Sequence, residues 1–213
     1  MSDRREPLSG RRAQAARNDD LILRAAHAVF VADPSAPIAA VAERAGVGIS
    51  ALYRRYPSKE DLLRTLCAEG LETYIAIAEA ALGRTDDAWA AFTEFMAGVV
   101  DADTVSLVER LAGTFTPTDE LFRRSEDAHA LNVELVERAK AAGALRPDIG
   151  VDDVSVLFEQ LASVRLGTAE RTRELRQRYL RLVLDALSDT SAAPLPGGPP
   201  SGGELGARWV AKG

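Results

Sequence analysis

Between Ala42 and Asp61 the chain reads AERAGVGISALYRRYPSKED, and the side chains there that can do chemistry are cations and hydroxyls. Arg44, Arg54, Arg55 and Lys59 surround a glycine-bounded turn, with Tyr53 and Tyr56 bracketing the two central arginines. Guanidinium and ammonium groups in such a cluster suit the oxygens of phosphates. Covalent chemistry has few candidates by comparison. The chain holds two histidines, His27 and His129, and one cysteine, Cys67. No clustered ligand set for a metal and no glycine-rich phosphate loop is present in the sequence, so neither a metal nor a cofactor is expected. Cys67 reads as a small buried apolar residue, and His27, among apolar neighbours, as a structural one.

The basic cluster sits in an acidic chain. The formal net charge is -6, but residues 1 to 66 carry eleven Arg and Lys against eight Asp and Glu, and the remainder fifteen against twenty-four. That split points to a nucleic-acid-facing module joined to a module with another task. With 213 residues and 46% hydrophobic side chains, there is ample material for one or two cores. The opening MSDRREPLSGRR lacks the apolar run of a secretory signal, and no stretch approaches the ~18 consecutive apolar residues of a membrane span. The expectation is a cytoplasmic protein with no membrane partner.

Elements able to position the cluster follow from periodicity. Apolar residues recur at three- and four-residue spacing nearly throughout, so the fold class is all-α. A first helix is expected over about Arg17 to Ala32 and a short second one over Ile38 to Ala45, with Pro37 at its entry. Gly46 is the natural left-handed residue after it, and Val47 fills the corner beneath. Another short helix starts at Ile49 and must stop by Tyr56, because Pro57 disfavours helical geometry in the residue before it. Ser58 caps the next helix, which runs to about Leu82, and Asp61 completes a variant of the capping box. Five more helices are expected over Asp86 to Val100, Asp103 to Ala112, Asp119 to Ala142, Val151 to Leu166 and Glu170 to Ser188. The Pro/Gly/Ser-rich text beyond, through residue 213, reads as a disordered tail.

From Ile38 to Tyr56 the order of short helix, glycine turn and short helix is the layout of a helix-turn-helix, whose second helix enters the major groove. Together with the next helix start, IAAVAERAGVGISALYRRYPSKEDLL closely resembles the DNA-binding domain of the TetR family of transcriptional regulators. Ala45 to Val47, Leu52 with Tyr53, Tyr56, and Ser58-Lys59-Glu60 carry the match. The resemblance covers about residues 12 to 66. It implies a flexible arm over 1–11, a DNA-binding domain over 12–66 and a helical regulatory and dimerisation domain over 67–188. It also implies that Gly48, Ile49, Ser50 and Ala51 face bases, that Tyr53 lies on the DNA backbone or a thymine methyl, and that Arg54, Arg55 and Lys59 meet phosphates. Arg11, Arg12 and Arg17 add backbone contacts, while Leu52 and Tyr56, four apart, are core and Arg44 is solvated. Ile49 and Ala51 are apolar where bidentate base readout needs polar groups, which shifts sequence reading toward Ser50, Tyr53 and DNA shape.

For the acidic remainder the resemblance implies dimerisation and ligand sensing. Phe158, Leu161 and Arg165 in one late helix and Tyr179, Leu182 and Val183 in the next are candidates for pairing with a second copy as a four-helix bundle, or for facing the chain's own core. Trp89, Phe92, Met96, Phe115 and Phe122, with Glu109 and His129 as polar company, are candidates for an apolar effector pocket. The segment ELVERAKAAGALRPDIGVDDV faintly resembles a C-terminal domain of a subset of TetR-family proteins. The expected function is a homodimeric regulator, a repressor released from its double-stranded operator by a small molecule. An α-helical enzyme or small-molecule carrier without DNA binding is the competing class, for which the chain offers only two histidines, one cysteine and no clustered ligand set; a helical scaffold leaves the capped basic motif without a purpose.

Overall fold

The computed structural model describes residues 7–111 and 114–207, without the side chains of 7–16, 108 and 109. Every regular element among them is a helix. The chain divides into two compact units, residues 1–66 and 67–213.

The first unit contains α1 (Pro7–Ala32), α2 (Ile38–Ala45), α3 (Ile49–Arg55) and the start of α4 (Lys59–Gly83). Its core is Ile22, Ala26 and Phe30 from α1, Val41 and Ala42 from α2, Leu52 from α3, then Tyr56, Leu62, Leu63 and Leu66, all buried. Ala42 is buried on α2 at 4% exposure, where its small side chain permits close packing. Gly46 takes the left-handed conformation, φ 67° and ψ 28°, and the next amide, Val47 N–H, closes back on Ala42 O at 3.0 Å. Only glycine adopts that backbone without steric cost, which is why the turn falls there. α3 ends at Arg55 because Tyr56, preceding Pro57, is extended at φ -125° and ψ 96°. At the head of α4, Asp61 N–H donates to Ser58 Oγ at 3.0 Å while Ser58 Oγ–H donates to Asp61 Oδ2 at 2.7 Å. The reciprocal cap therefore forms through the Ser58 hydroxyl.

One boundary in this unit differs from expectation. α1 begins at Pro7, ten residues before the Arg17 that periodicity indicated. Residues 7–11, expected as arm, are thus helical, since Arg11, Arg12, Ala13 and Gln14 favour helix even where no apolar stripe marks it.

The second unit contains the rest of α4, then α5 (Ala88–Ala102), α6 (Thr104–Leu111), α7 (Asp119–Ala141), α8 (Val151–Ser163), α9 (Ala169–Ser188) and the short α10 (Gly202–Gly206). Asp87, Thr118 and Thr168 cap α5, α7 and α9 with side-chain oxygens. The core joins Ala78 and Ala81 of α4, Phe92, Phe95, Met96 and Val99 of α5, Leu135 and Ala139 of α7, Phe158 of α8, and Leu180 and Leu184 of α9. At its centre Tyr74, Phe95 and Phe158 meet edge to face, with centroids 5.5 to 6.1 Å apart. The Tyr74 hydroxyl donates to the buried Asn132 Oδ1 at 2.8 Å, so both polar groups are satisfied inside the core. Burial raises the Tyr74 hydroxyl pKa, and it pushes the Cys67 thiol up to about 12. Cys67 is thus an inert apolar residue. No helix among the described residues is long and apolar enough to cross a membrane.

Two further differences appear here. α8 stops at Ser163 although its apolar pattern continues to Leu166, because the Arg176 guanidinium of α9 takes the carbonyls of Ala162 and Val164 at 2.8 and 3.1 Å. The tail, expected to be disordered, packs against the α7–α8 connection over residues 189–207. Arg146 Nη2 donates to Ala193 O at 2.8 Å, Leu195 N–H donates to Asp148 Oδ2 at 2.8 Å, and Pro199 lies where a side chain on Gly150 would stand. α10 is capped reciprocally by Ser201 and Glu204. Composition favoured disorder, but Arg146 and Asp148, some fifty residues upstream, supply the partners that the tail lacks in itself.

Candidate nucleic-acid interface

α3 is a seven-residue helix with two unlike faces. Leu52 and Tyr56, one turn apart, are buried at 0% and 3% exposure and hold the helix onto α1 and α2. Ile49 and Tyr53, at 40% and 47%, lie on the opposite side with the exposed Ser50 and Arg54. Gly48 begins the helix in extended geometry without a side-chain cap, which leaves the α3 N-terminus uncovered. Ala51 is half-buried beneath this face. Two large side chains are therefore exposed at a cost in apolar surface, next to a hydroxyl and a guanidinium, on a helix short enough to enter a groove end-first.

The cations around this face fall into different states. Arg54 makes no hydrogen bond or ion pair among the described residues, so its charge is available to an anion. Arg55 is 59% exposed, but its Nε–H meets both carboxylate oxygens of Asp19 of α1 at 2.8 Å, with its guanidinium carbon 5.2 Å from the Tyr56 ring centre. Lys59 turns inward. Its ammonium donates to the carbonyls of Pro34 and Ala36, each at 2.8 Å, and stands 5.0 Å from the Phe30 ring centre. Lys59, expected to meet a phosphate, is thus held within the chain by two carbonyls of the α1–α2 connection and an aromatic face. Arg17 is exposed on α1. The side chains of Arg11 and Arg12 lie outside the described residues.

Of the residues expected to line an effector pocket, Trp89, Phe92 and Met96 come together, but in core and not around a cavity. Phe92 and Met96 are fully buried in close-packed core, and Trp89 stacks on Phe92 at 5.7 Å. Phe115 is buried in the α6–α7 connection, whereas Phe122, 51% exposed, and His129 face solvent from α7. The Glu109 side chain lies outside the described residues. A cleft of about 10 Å³, barely room for one water, opens elsewhere, lined by Val99, Val100, Asp103, Val105, Phe158, Ala162 and Arg176. Arg176 is 7% exposed and donates to Asp103 Oδ1 at 2.6 Å and Ser106 Oγ at 3.1 Å as well as to the two α8 carbonyls. Periodicity missed this residue, although a signal was present: Arg176 occupies the same helical stripe as the buried Leu180, Leu184 and Leu187.

Of the residues proposed for pairing with a second copy, Phe158 and Leu161 are each 3% exposed within the chain's own core. Of the two expected alternatives, they take the chain's own core, where their stripe on α8 packs with α5 and α9. Tyr179 and Leu182 of α9 are exposed at 39% and 57%, followed by the half-buried Val183, and Leu166 is exposed at 58% beside the half-buried Arg165. No group of His, Cys, Asp and Glu among the described residues is arranged to hold a metal ion.

Residues 22–66 match the family model of bacterial regulatory proteins of the tetR family, and residues 84–189 match that of the SbtR-like transcriptional regulator C-terminal domain. No curated protein matches the chain. Among solved structures, it is similar to the TetR transcriptional regulator SCO0520 from Streptomyces coelicolor at 25% identity and TM-score 0.56, covering 79% of this chain and 97% of that one. The TetR regulatory protein from Mycobacterium vanbaalenii is 26% identical with TM-score 0.55, over 83% and 98% of the two chains. The fold is shared with the TetR-like regulator LfrR from Mycobacterium smegmatis, solved in complex with proflavine, at 22% identity and TM-score 0.61 over 84% and 99%.

Proposed function

Because the chain belongs to the TetR family and is a DNA-binding transcriptional regulator, we propose that it acts in the cytoplasm as a homodimeric repressor, released from its operator when a small molecule fills the second unit. One observation carries the DNA-binding face: α3 is anchored by Leu52 and Tyr56 while Ile49, Ser50, Tyr53 and Arg54 stand outward beside an uncovered helix N-terminus. Gly48, Ile49, Ser50 and Ala51 are read as meeting base edges, Ser50 by hydrogen bonding and Ile49 through thymine methyls. Tyr53, Arg54, Arg55, Arg17 and Arg12 are read as meeting the backbone, which fixes register without reading sequence.

Two copies are required by the geometry of operators, whose half-sites lie about 34 Å apart along the duplex. The exposed α9 residues Tyr179 and Leu182, with Val183 and Arg165, are the proposed pairing surface, since neighbouring large apolar groups left exposed suit an interaction surface. Release by an effector requires tighter binding to a form whose recognition helices no longer fit the grooves. α4 is the covalent element shared by both units and is proposed to carry that change. The Arg176 cleft, at about 10 Å³ far below the ~300–1,000 Å³ of typical ligand sites, must open substantially to accept an effector.

The test is to select bound duplexes from a random or genomic pool, titrate the best one with salt, and then screen for compounds that release it. DNA binding through several phosphates weakens steeply with salt. A helical enzyme or carrier without a DNA role would bind no duplex even at low salt, and that result would sink the proposal.

A further inference from the structure

The two neighbouring arginines of α3 are not equivalent. Arg54 projects without a partner among the described residues, while the Arg55 Nε–H is shared between both oxygens of Asp19 at 2.8 Å. Asp19 is the more sheltered member of that pair, its side chain 25% exposed against 59% for Arg55. Its neighbour Asp20 is exposed, with no hydrogen bond or ion pair among the described residues. A carboxylate and a phosphate present the same kind of paired anionic oxygens to a guanidinium. The Asp19 carboxylate thus occupies Arg55 as a DNA phosphate would.

Resting on the reading of α3 as the DNA-contacting helix, we infer that Asp19 masks Arg55 in the free protein and suppresses sequence-independent DNA binding. A phosphate reaching Arg55 competes with Asp19 for the guanidinium charge, and meets a carboxylate that repels it at close range. An exposed ion pair of this type is weak enough to exchange, so the mask is reversible. Phosphate contacts supply nearly all non-specific affinity, and muting one lowers the background against which base contacts discriminate. Only a duplex that seats α3 well enough to bring a phosphate against Arg55 recovers the contact. Asp19 is therefore a specificity-determining residue outside the helix-turn-helix itself.

The experiment compares Asp19→Asn, Asp20→Asn, Arg55→Ala and the Asp19→Asn/Arg55→Ala double variant of the full chain by fluorescence anisotropy on a labelled random-sequence duplex across a sodium chloride series. Asp19→Asn keeps the side-chain shape while removing the charge. Expected is binding tighter by about two- to fivefold, the factor an exposed ion pair of ordinary strength withholds. The salt slope should steepen by about one. Asp20→Asn, which removes an equal charge, should do less, and the gain from Asp19→Asn should vanish when Arg55 is already alanine. Equal gains from Asp19→Asn and Asp20→Asn reduce the effect to bulk charge and overturn the inference. Weaker binding by Asp19→Asn makes Asp19 a support for Arg55 and overturns it too. A wild-type protein that binds no duplex at low salt removes the DNA-contact reading and this inference with it; wild-type binding with no Asp19 effect removes the inference alone. If Asp19→Asn fails to fold, the wild-type Arg55 Nε–H resonance decides: saturating duplex should shift it as the Asp19 contact is given up, and an unmoved resonance overturns the mask.

Discussion

Arg55 in the first unit and Arg176 in the second each meet a carboxylate at hydrogen-bonding distance, 2.8 and 2.6 Å, yet the two pairs do opposite work. Arg55 is more than half exposed and pairs with a surface carboxylate, so water can replace either partner. Arg176 is almost wholly buried and adds two α8 carbonyls and the Ser106 hydroxyl to its carboxylate. In the first unit a cation is kept exchangeable where a polyanion is proposed to dock. In the second, one is built permanently into the joint of α6, α8 and α9. Distance is nearly the same in both, and burial decides which pair is a switch and which a rivet.

Removing the rivet should have the largest effect. Arg176→Ala takes the ion-pair partner from Asp103, which keeps only the Ser106 hydroxyl, and removes the guanidinium from the Val164 and Ala162 carbonyls, and should lower stability by about 2–3 kcal/mol, read from the denaturant midpoint. A loss no greater than that of an exposed pair would erase the contrast between the two units. Lys59 sits between these extremes. If it is a clamp on the α1–α2 connection, Lys59→Met should cost the first unit about 1–2 kcal/mol while leaving the salt slope of DNA binding unchanged. A lowered salt slope without loss of stability would return Lys59 to the phosphate-contacting set.

Arg54→Ala sharpens the same comparison from the surface side. It should leave stability untouched, weaken binding to every duplex and reduce the salt slope by about one, whereas Ser50→Ala should change the ranking of sites. Equal effects of both variants on all sequences would remove Ser50 from the base-reading set. The smallest effect belongs to the tail. Asp148→Asn should speed limited proteolysis within residues 189–207 and leave DNA affinity unchanged. The Arg146 guanidinium, then the Leu195 N–H, hold the Asp148 carboxyl well below the usual carboxylate range. With a lowered folded value, this contact contributes fully above the usual carboxylate range and is lost only as pH falls below it. Proteolysis of the wild-type tail should therefore show no pH dependence from this group near neutrality, and faster cleavage in strong acid.

Much of the first unit was legible from local pattern. Gly46, Pro57 and the Ser58 cap punctuate the chain, and the four-residue spacing of Leu52 and Tyr56 names the buried side of α3. Tyr53 and Arg54 are left facing outward, while the base-facing reading of Ile49 and Ser50 came from the family resemblance. What was illegible there was the state of each cation. Arg55 and Lys59 differ because Asp19, thirty-six positions away, faces one of them and the Pro34 and Ala36 carbonyls face the other.

In the second unit the helices were readable and their assignments were not. Phe92 and Met96 look like pocket residues, and Phe158 and Leu161 like an interface, because an amphipathic stripe announces burial without naming what buries it. The early end of α8 and the docking of the tail depend on Arg176 and Arg146, whose partners are long-range. The sequence by itself determined the helical class, the glycine-turned motif and the division into a basic head and an acidic body, since all three arise from neighbours within a few residues. Tertiary structure alone decided which charges are spent internally and which remain for a partner, because the desolvation and pairing of a cation depend on groups that only folding brings beside it.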